Sequence, residues 1–179
     1  MQLLTLLFIA SLTSALPTPD VPTGPNIITL KDQSIYEVST GRINLQSPTG
    51  HIFKTTSSGK DLTTLLTFTL PSTLQGKTCS FHFFRDAAAR TDGSNRFDLF
   101  SSLSPATPSS TNNQRDQFMG RMDTAVPGEA TWVADVWPKS GQSFPCPSGG
   151  DFGYELVGVG DNVDVSWNRP QSGGYISWV

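Results

Sequence analysis

The strongest constraint on the fold is a two-residue hydrophobic period that recurs along the chain in short runs. Leu66, Phe68 and Leu70 alternate with Thr67 and Thr69. Cys79, Phe81 and Phe83 alternate with Ser80 and His82, and Val163, Val165 and Trp167 alternate with Asp164, Ser166 and Asn168. Successive side chains of an extended strand point to opposite faces, so each apolar set lines one side of a sheet. Between the runs stand Gly, Pro, Ser, Asn and Asp, the residues that turn a chain. Strands are expected at 34–38, 51–55, 62–70, 77–84, 96–101, 117–122, 131–137, 152–157, 162–167 and 175–178. No window sustains a helical period; only "DAAAR" at 86–90 offers one or two helical turns. Short, regularly spaced strands predict an all-β fold, a two-sheet antiparallel β-sandwich of jelly-roll type with about eight to ten strands.

The first residues follow a different rule. Residues 3–9 are apolar except for Thr5, and "TSA" at 13–15 is a small-residue cleavage pattern. This reads as a secretory signal peptide over 1–15; the alternative is a buried core helix. The run is too short for a bilayer span, which needs ~20 apolar residues. Residues 16–25, "LPTPDVPTGP", carry Pro17, Pro19, Pro22 and Pro25 and read as an exposed leader. One sandwich domain over 26–179 is expected, in an extracellular protein, with the cell wall as one destination. The formal charge is −3, with no cluster of Lys and Arg to hold a phosphate backbone. Neither a nucleic-acid partner nor a membrane anchor is expected, and the chain reads as a monomer.

Cys79 and Cys146 are the two cysteines. An even count in a secreted chain points to a disulfide; a metal-binding or catalytic thiol is the alternative, without a CxxC or a nearby His to support it. Two irregular stretches interrupt the strands. "SSLSPATPSSTNNQ" at 101–114 reads as a long exposed loop, open to O-glycosylation or simply a mobile connection. "SGQSFPCPSGG" at 140–150 is the other. No Asn-x-Ser/Thr sequon occurs.

Four stretches together carry a family resemblance: "LLTFTLPSTLQGKTCSFHF" at 65–83, "FPCPSGG" at 144–150, "YELVGVGDNVDVSW" at 154–167 and "GYISW" at 174–178. They resemble the But-two C-terminal domain, known as a ubiquitin 3 binding protein domain and widespread in secreted and surface proteins of filamentous fungi. The two cysteines fall where that family places its pair. The resemblance implies no catalytic residues. The family name comes from an intracellular yeast protein that binds an activating enzyme for a ubiquitin-like modifier, a partner that a secreted chain would not meet.

His51 and His82 are the two histidines, without GxSxG or HExxH, so the common triad and zinc-hydrolase patterns are absent. The glutamates are Glu37, Glu129 and Glu155; Glu155 alternates with Tyr154 and Leu156 and is expected to face outward. Asp161 and Asp164, with Asn162 and Asp151, form a weak calcium candidate, short of the six to eight oxygens that Ca²⁺ takes. A turn explains the same letters, and no metal or other cofactor is called for. Trp132 and Trp137 fall on opposite faces of one expected strand, Trp167 in the core, and Trp178 with Ile176 opposite Tyr175. Trp137, Tyr175 and Trp178 are therefore the binding candidates. The functional expectation is a secreted, non-catalytic module that binds at the cell wall or another extracellular surface, through polysaccharide or protein. The alternatives are a glycan-active hydrolase or lyase and an effector that binds a host protein.

Overall fold

The computed structural model describes residues 20–179 apart from 58 and 148. The expected signal peptide and the start of the leader lie outside the described residues. Two antiparallel sheets face each other. The smaller contains β1 (Ile27–Thr29), β6 (Thr78–Arg85), β10 (Gly128–Glu129), β12 (Phe144–Pro145) and β15 (Gly173–Trp178). β6 is central: β15 lies along one edge, and β10 and β12 pair with its two ends on the other. The larger sheet contains β2 (Asp32–Glu37), β3 (Arg42–Asn44), β4 (Thr49–Thr55), β5 (Leu62–Leu70), β7 (Arg90–Gly93), β8 (Arg96–Ser102), β9 (Arg115–Asp123), β11 (Thr131–Trp132), β13 (Gly150–Gly158) and β14 (Asn162–Asn168). Its order is β11-β9-β8-β13-β5-β4-β14-β7, with β2 also on β5 and β3 on β2. One register pair, Phe53 with Leu62, joins β4 to β5.

The expected all-β sandwich is therefore present, and the two-residue period marks its core. Cys79, Phe81 and Phe83 point from β6 into the interior, as do Val163, Val165 and Trp167 from β14. Phe81 meets Phe68 edge-on at 6.4 Å, and Phe83 meets Trp167 at 4.9 Å and Phe97 at 5.1 Å. Such tilted pairs match the aromatic quadrupole and add to the area each ring buries. Trp167 needs room on β4: a Cβ at Gly50 would stand 2.1 Å from its indole carbons. Cys79 and Cys146 are joined, with Cα atoms 4.9 Å apart. The bond sits where Phe144 of β12 pairs with Cys79 of β6.

Three expectations change. Only Thr131–Trp132 of the run at 131–137 is strand; beyond Val133, whose N–H bonds the Arg121 carbonyl, the chain leaves the sheet. Residues 86–90 make no helix. The Asp86 carboxylate and carbonyl both accept from the Ala89 N–H, closing a turn that feeds edge strand β7. The third change concerns Glu155. It does face away from Tyr154 and Leu156, yet it is 0% exposed.

The loop at 103–114 buries it. The Leu103 N–H bonds the Gln114 carbonyl at 2.9 Å, closing the loop into a strap. The strap crosses the outer face of β13 at Gly153, where a Cβ would lie 3.0 Å from Pro105 Cα and the Ser104 carbonyl oxygen. Beside it, Arg115 donates through Nε and Nη2 to the two Glu155 oxygens, each at 2.8 Å. Asn113 Nδ2 donates to both oxygens, and Thr63 Oγ1 donates at 2.6 Å. The guanidinium lies 4.8 Å over the Phe100 ring. A bidentate fork with every lone pair engaged supplies the hydrogen bonds that a carboxylate withdrawn from water needs.

Three variants test these contacts. Replacing Arg115 by Ala leaves the fully buried Glu155 without its cation and should cost about 3–5 kcal/mol in urea unfolding. Asp123→Asn breaks the half-exposed Arg96–Asp123 pair and should cost under about 1 kcal/mol. Equal costs would show that the buried pair has no special weight. Cys79→Ala with Cys146→Ala opens a loop of 67-residue separation, worth roughly 4 kcal/mol on the chain-entropy model.

Candidate binding surface

The segment after β11 places Trp137 at the surface, 75% exposed. Its supports are local. The Trp132 ring packs so closely on two glycines that a Cβ at Gly120 or Gly141 would come within 2.7 Å or 2.5 Å of it. The Gln142 N–H bonds the Lys139 carbonyl at 3.0 Å, and Ser140 Oγ donates to the Met119 carbonyl. The loop is thus pinned on both sides of Trp137. Lys139 Nζ stands 4.7 Å from the ring centroid, a cation held against the indole face. Trp is among the residue types most enriched at interface hot spots.

The other two aromatic candidates are placed differently. Tyr175 is only 6% exposed. Its ring stacks on His82 at 4.7 Å with 8° between planes, and its hydroxyl donates to Glu129 Oε1. Trp178 is half-buried against the core, with Lys77 Nζ 5.4 Å from its ring. Tyr175 and Trp178 lie on opposite faces of β15, and of the three only Trp137 presents a largely exposed ring. The three therefore make no common platform.

The acidic candidates also disperse. Asp161 is in the turn between β13 and β14. Asp164 bonds His51 Nε2 at 2.8 Å, and Asp151, at the far end of β13, pairs with Lys31 and accepts from Thr69. Among the described residues no three His, Cys, Asp or Glu side chains converge as metal ligands. A cleft of about 310 Å³ opens beside Leu30, Arg169 and Gly173. Its guanidinium is committed to the carbonyls of Leu30 and Lys31.

One cluster lay beyond sequence reasoning. His82 is partly buried, and its Nε2 shares a hydrogen bond with Ser177 Oγ at 2.8 Å beneath the Tyr175 stack. Burial holds the imidazole below its ordinary value of 6.5. Burial also raises Glu129, against the opposing donation from Tyr175, and raises Tyr175, helped by Glu129. Among the described residues no carboxylate hydrogen-bonds the other His82 nitrogen, so the Ser–His pair lacks the orienting group of a nucleophilic relay. The cluster exists because β6 and β15 pair His82 directly with Tyr175, a register that neither segment encodes alone.

A model of the protein family described as ubiquitin 3 binding protein But2 C-terminal domain matches residues 34–171. The match runs from within β2 through β14 and ends before β15. No curated protein matches the chain.

The His82 environment sets a pH dependence. Its folded-state value is depressed, so between that value and 6.5 the unfolded chain binds more protons. Stability from the neutral imidazole is complete above 6.5 and is lost as pH falls through the folded value. Glu129 acts in the opposite sense, contributing below its ordinary value of 4.5 and losing that contribution as pH rises. Urea midpoints between about pH 8 and about pH 5 should fall more in the native chain than in His82→Gln, which keeps a donor for Ser177. Parallel curves would assign the acid sensitivity elsewhere.

Proposed function

The chain belongs to the family of the ubiquitin 3 binding protein But2 C-terminal domain, and from that premise we propose that it is a non-catalytic, protein-binding β-sandwich that works outside the cell. Trp137 is the observation that carries this reading: a fully presented indole on a loop pinned at both ends. Trp is the residue most enriched where truncation costs an interface dearly, because it buries a large rigid area with little entropy to lose. The Cys79–Cys146 bond supports an oxidising compartment, in keeping with the signal peptide read at 1–15. The ubiquitin-like partner named in the family description is a property of the protein that gave the family its name. What carries over here is recognition of a protein, at the cell wall or on another extracellular surface.

A glycan partner is the weaker reading. Sugar chains stack along several exposed rings, whereas Tyr175 is buried and Trp178 is half-buried against the core. Enzymatic carboxylates are weaker still, since Glu155 is saturated by Arg115, Asn113 and Thr63.

The test compares the native chain with Trp137→Ala against extracellular proteins, with cross-linking to identify the partner and titration to measure it. Loss of Trp137 should weaken binding by about 2 kcal/mol or more, roughly thirtyfold in Kd, with an unchanged melting temperature. Unchanged affinity would remove Trp137 from the interface. Retention on insoluble chitin, β-glucan or mannan, lost in the same variant, would move the assignment to a glycan.

A further inference from the structure

We propose that the strap at 103–114 is an O-glycosylated handle, with Ser104, Ser109 and Thr111 as the acceptor hydroxyls. The inference rests on the extracellular reading above, because the sugar would be added in the secretory pathway. The composition points to this chemistry: within "SSLSPATPSSTNNQ" two prolines, Pro105 and Pro108, stand among clustered hydroxyls. The structure selects among them. Ser101 and Ser102 belong to β8, where both pair with β13, and Ser101 Oγ accepts from the Gln117 N–H. Thr107 and Ser110 close a small turn: Ser110 Oγ accepts from the Thr107 N–H at 2.9 Å and meets Thr107 Oγ1 at 3.1 Å. Ser104, Ser109 and Thr111 are exposed. Among the described residues the Ser104 and Thr111 hydroxyls have no hydrogen-bond partner, and Ser109 Oγ contacts only Thr107 Oγ1.

The strap is also built to carry a load. Gly153 admits it against β13, and Asn113 and Arg115 fasten its end to the buried Glu155. Glycans attached there project from the outer face without strain on the core. They would stand next to Leu103, which is 72% exposed and gains a polar cover. The transfer is a substitution at carbon. The Ser or Thr oxygen attacks the anomeric carbon of a hexosyl phosphate donor, and the C–O bond to sugar forms. The bond from that carbon to the phosphate oxygen breaks, and the hydroxyl proton leaves with the released phosphate. Nothing is oxidised or reduced. With no Asn-x-Ser/Thr sequon in the chain, this loop is where sugar would be found.

Trypsin isolates the question. Cleavage at Arg96 and Arg115 releases 97–115 as one peptide, because no Lys or Arg lies between them. The full chain is expressed in a fungal secretory host in two forms, one with its own residues 1–15 and one with an established secretion signal in their place. The expected result is whole-hexose mass increments on peptide 97–115, mapped by electron-transfer fragmentation to Ser104, Ser109 and Thr111, with Ser101 and Ser102 bare. The triple variant Ser104→Ala, Ser109→Ala, Thr111→Ala should reduce the peptide to its unmodified mass at an unchanged melting temperature. A bare peptide from the form with the established signal overturns the proposal, whatever the native leader does. Retention of the native form inside the cell, with hexose on the other form, overturns the extracellular reading and leaves the acceptor sites standing. Increments confined to Ser101 or Ser102 would also overturn the assignment.

Discussion

The inner face of β6 is the contact on which the two sheets depend. Its Cys79, Phe81 and Phe83 are completely buried, and each engages a different part of the larger sheet or its connections. Phe81 reaches β5 and β13 through Phe68 and Tyr154, and Phe83 reaches β8 and β14 through Phe97 and Trp167. Cys79 is tied covalently to the segment that enters β13. One strand thus holds together four strands of the larger sheet, drawn from residues 62 to 168. A sheet joined at β4–β5 by a single register pair needs such a clamp, because its backbone ladder alone would leave β4, β14 and β7 loosely attached.

The outer face of the larger sheet is organised by charge instead. Arg96 with Asp123 and Arg121 with Asp98 are cross-strand bidentate pairs on β8 and β9, partly open to water. The third pair, Arg115 with Glu155, is the same chemistry carried under cover. Its energetics differ because water no longer solvates the carboxylate, so the protein must supply all its hydrogen bonds. That requirement fixes the position of the strap more firmly than its composition would lead one to expect.

Much of the fold was legible in the sequence because period 2 is a local signal. The alternation of 62–70, 79–83 and 162–168 predicts strands, faces and core residues without knowledge of what pairs with what. The short strands β1, β3, β10 and β12 span two or three residues each, too few for a period to show. Glu155 shows the other limit. Alternation gave its direction correctly, but its burial depends on a loop forty residues earlier whose letters look like open surface. The exposure of Trp137 was legible in half: one of two tryptophans had to face out, and the choice fell to where the strand ends. Tyr175 and His82 could not be read as a pair, since only the β6–β15 register brings them together.

The pairing of β1 with β15 has a mechanical meaning. Ile27 lies opposite Ser177, and the Trp178 N–H bonds the Asn26 carbonyl, so the chain enters and leaves the sandwich side by side. Tension applied through both ends would load these hydrogen bonds one after another, opening β1 like a zipper at low force. Strands pulled from opposite ends would instead bear load in shear, all bonds at once. As a link in a stretched assembly this module is therefore a compliant element, and the Cys79–Cys146 bond keeps only the residues between the two cysteines from extending.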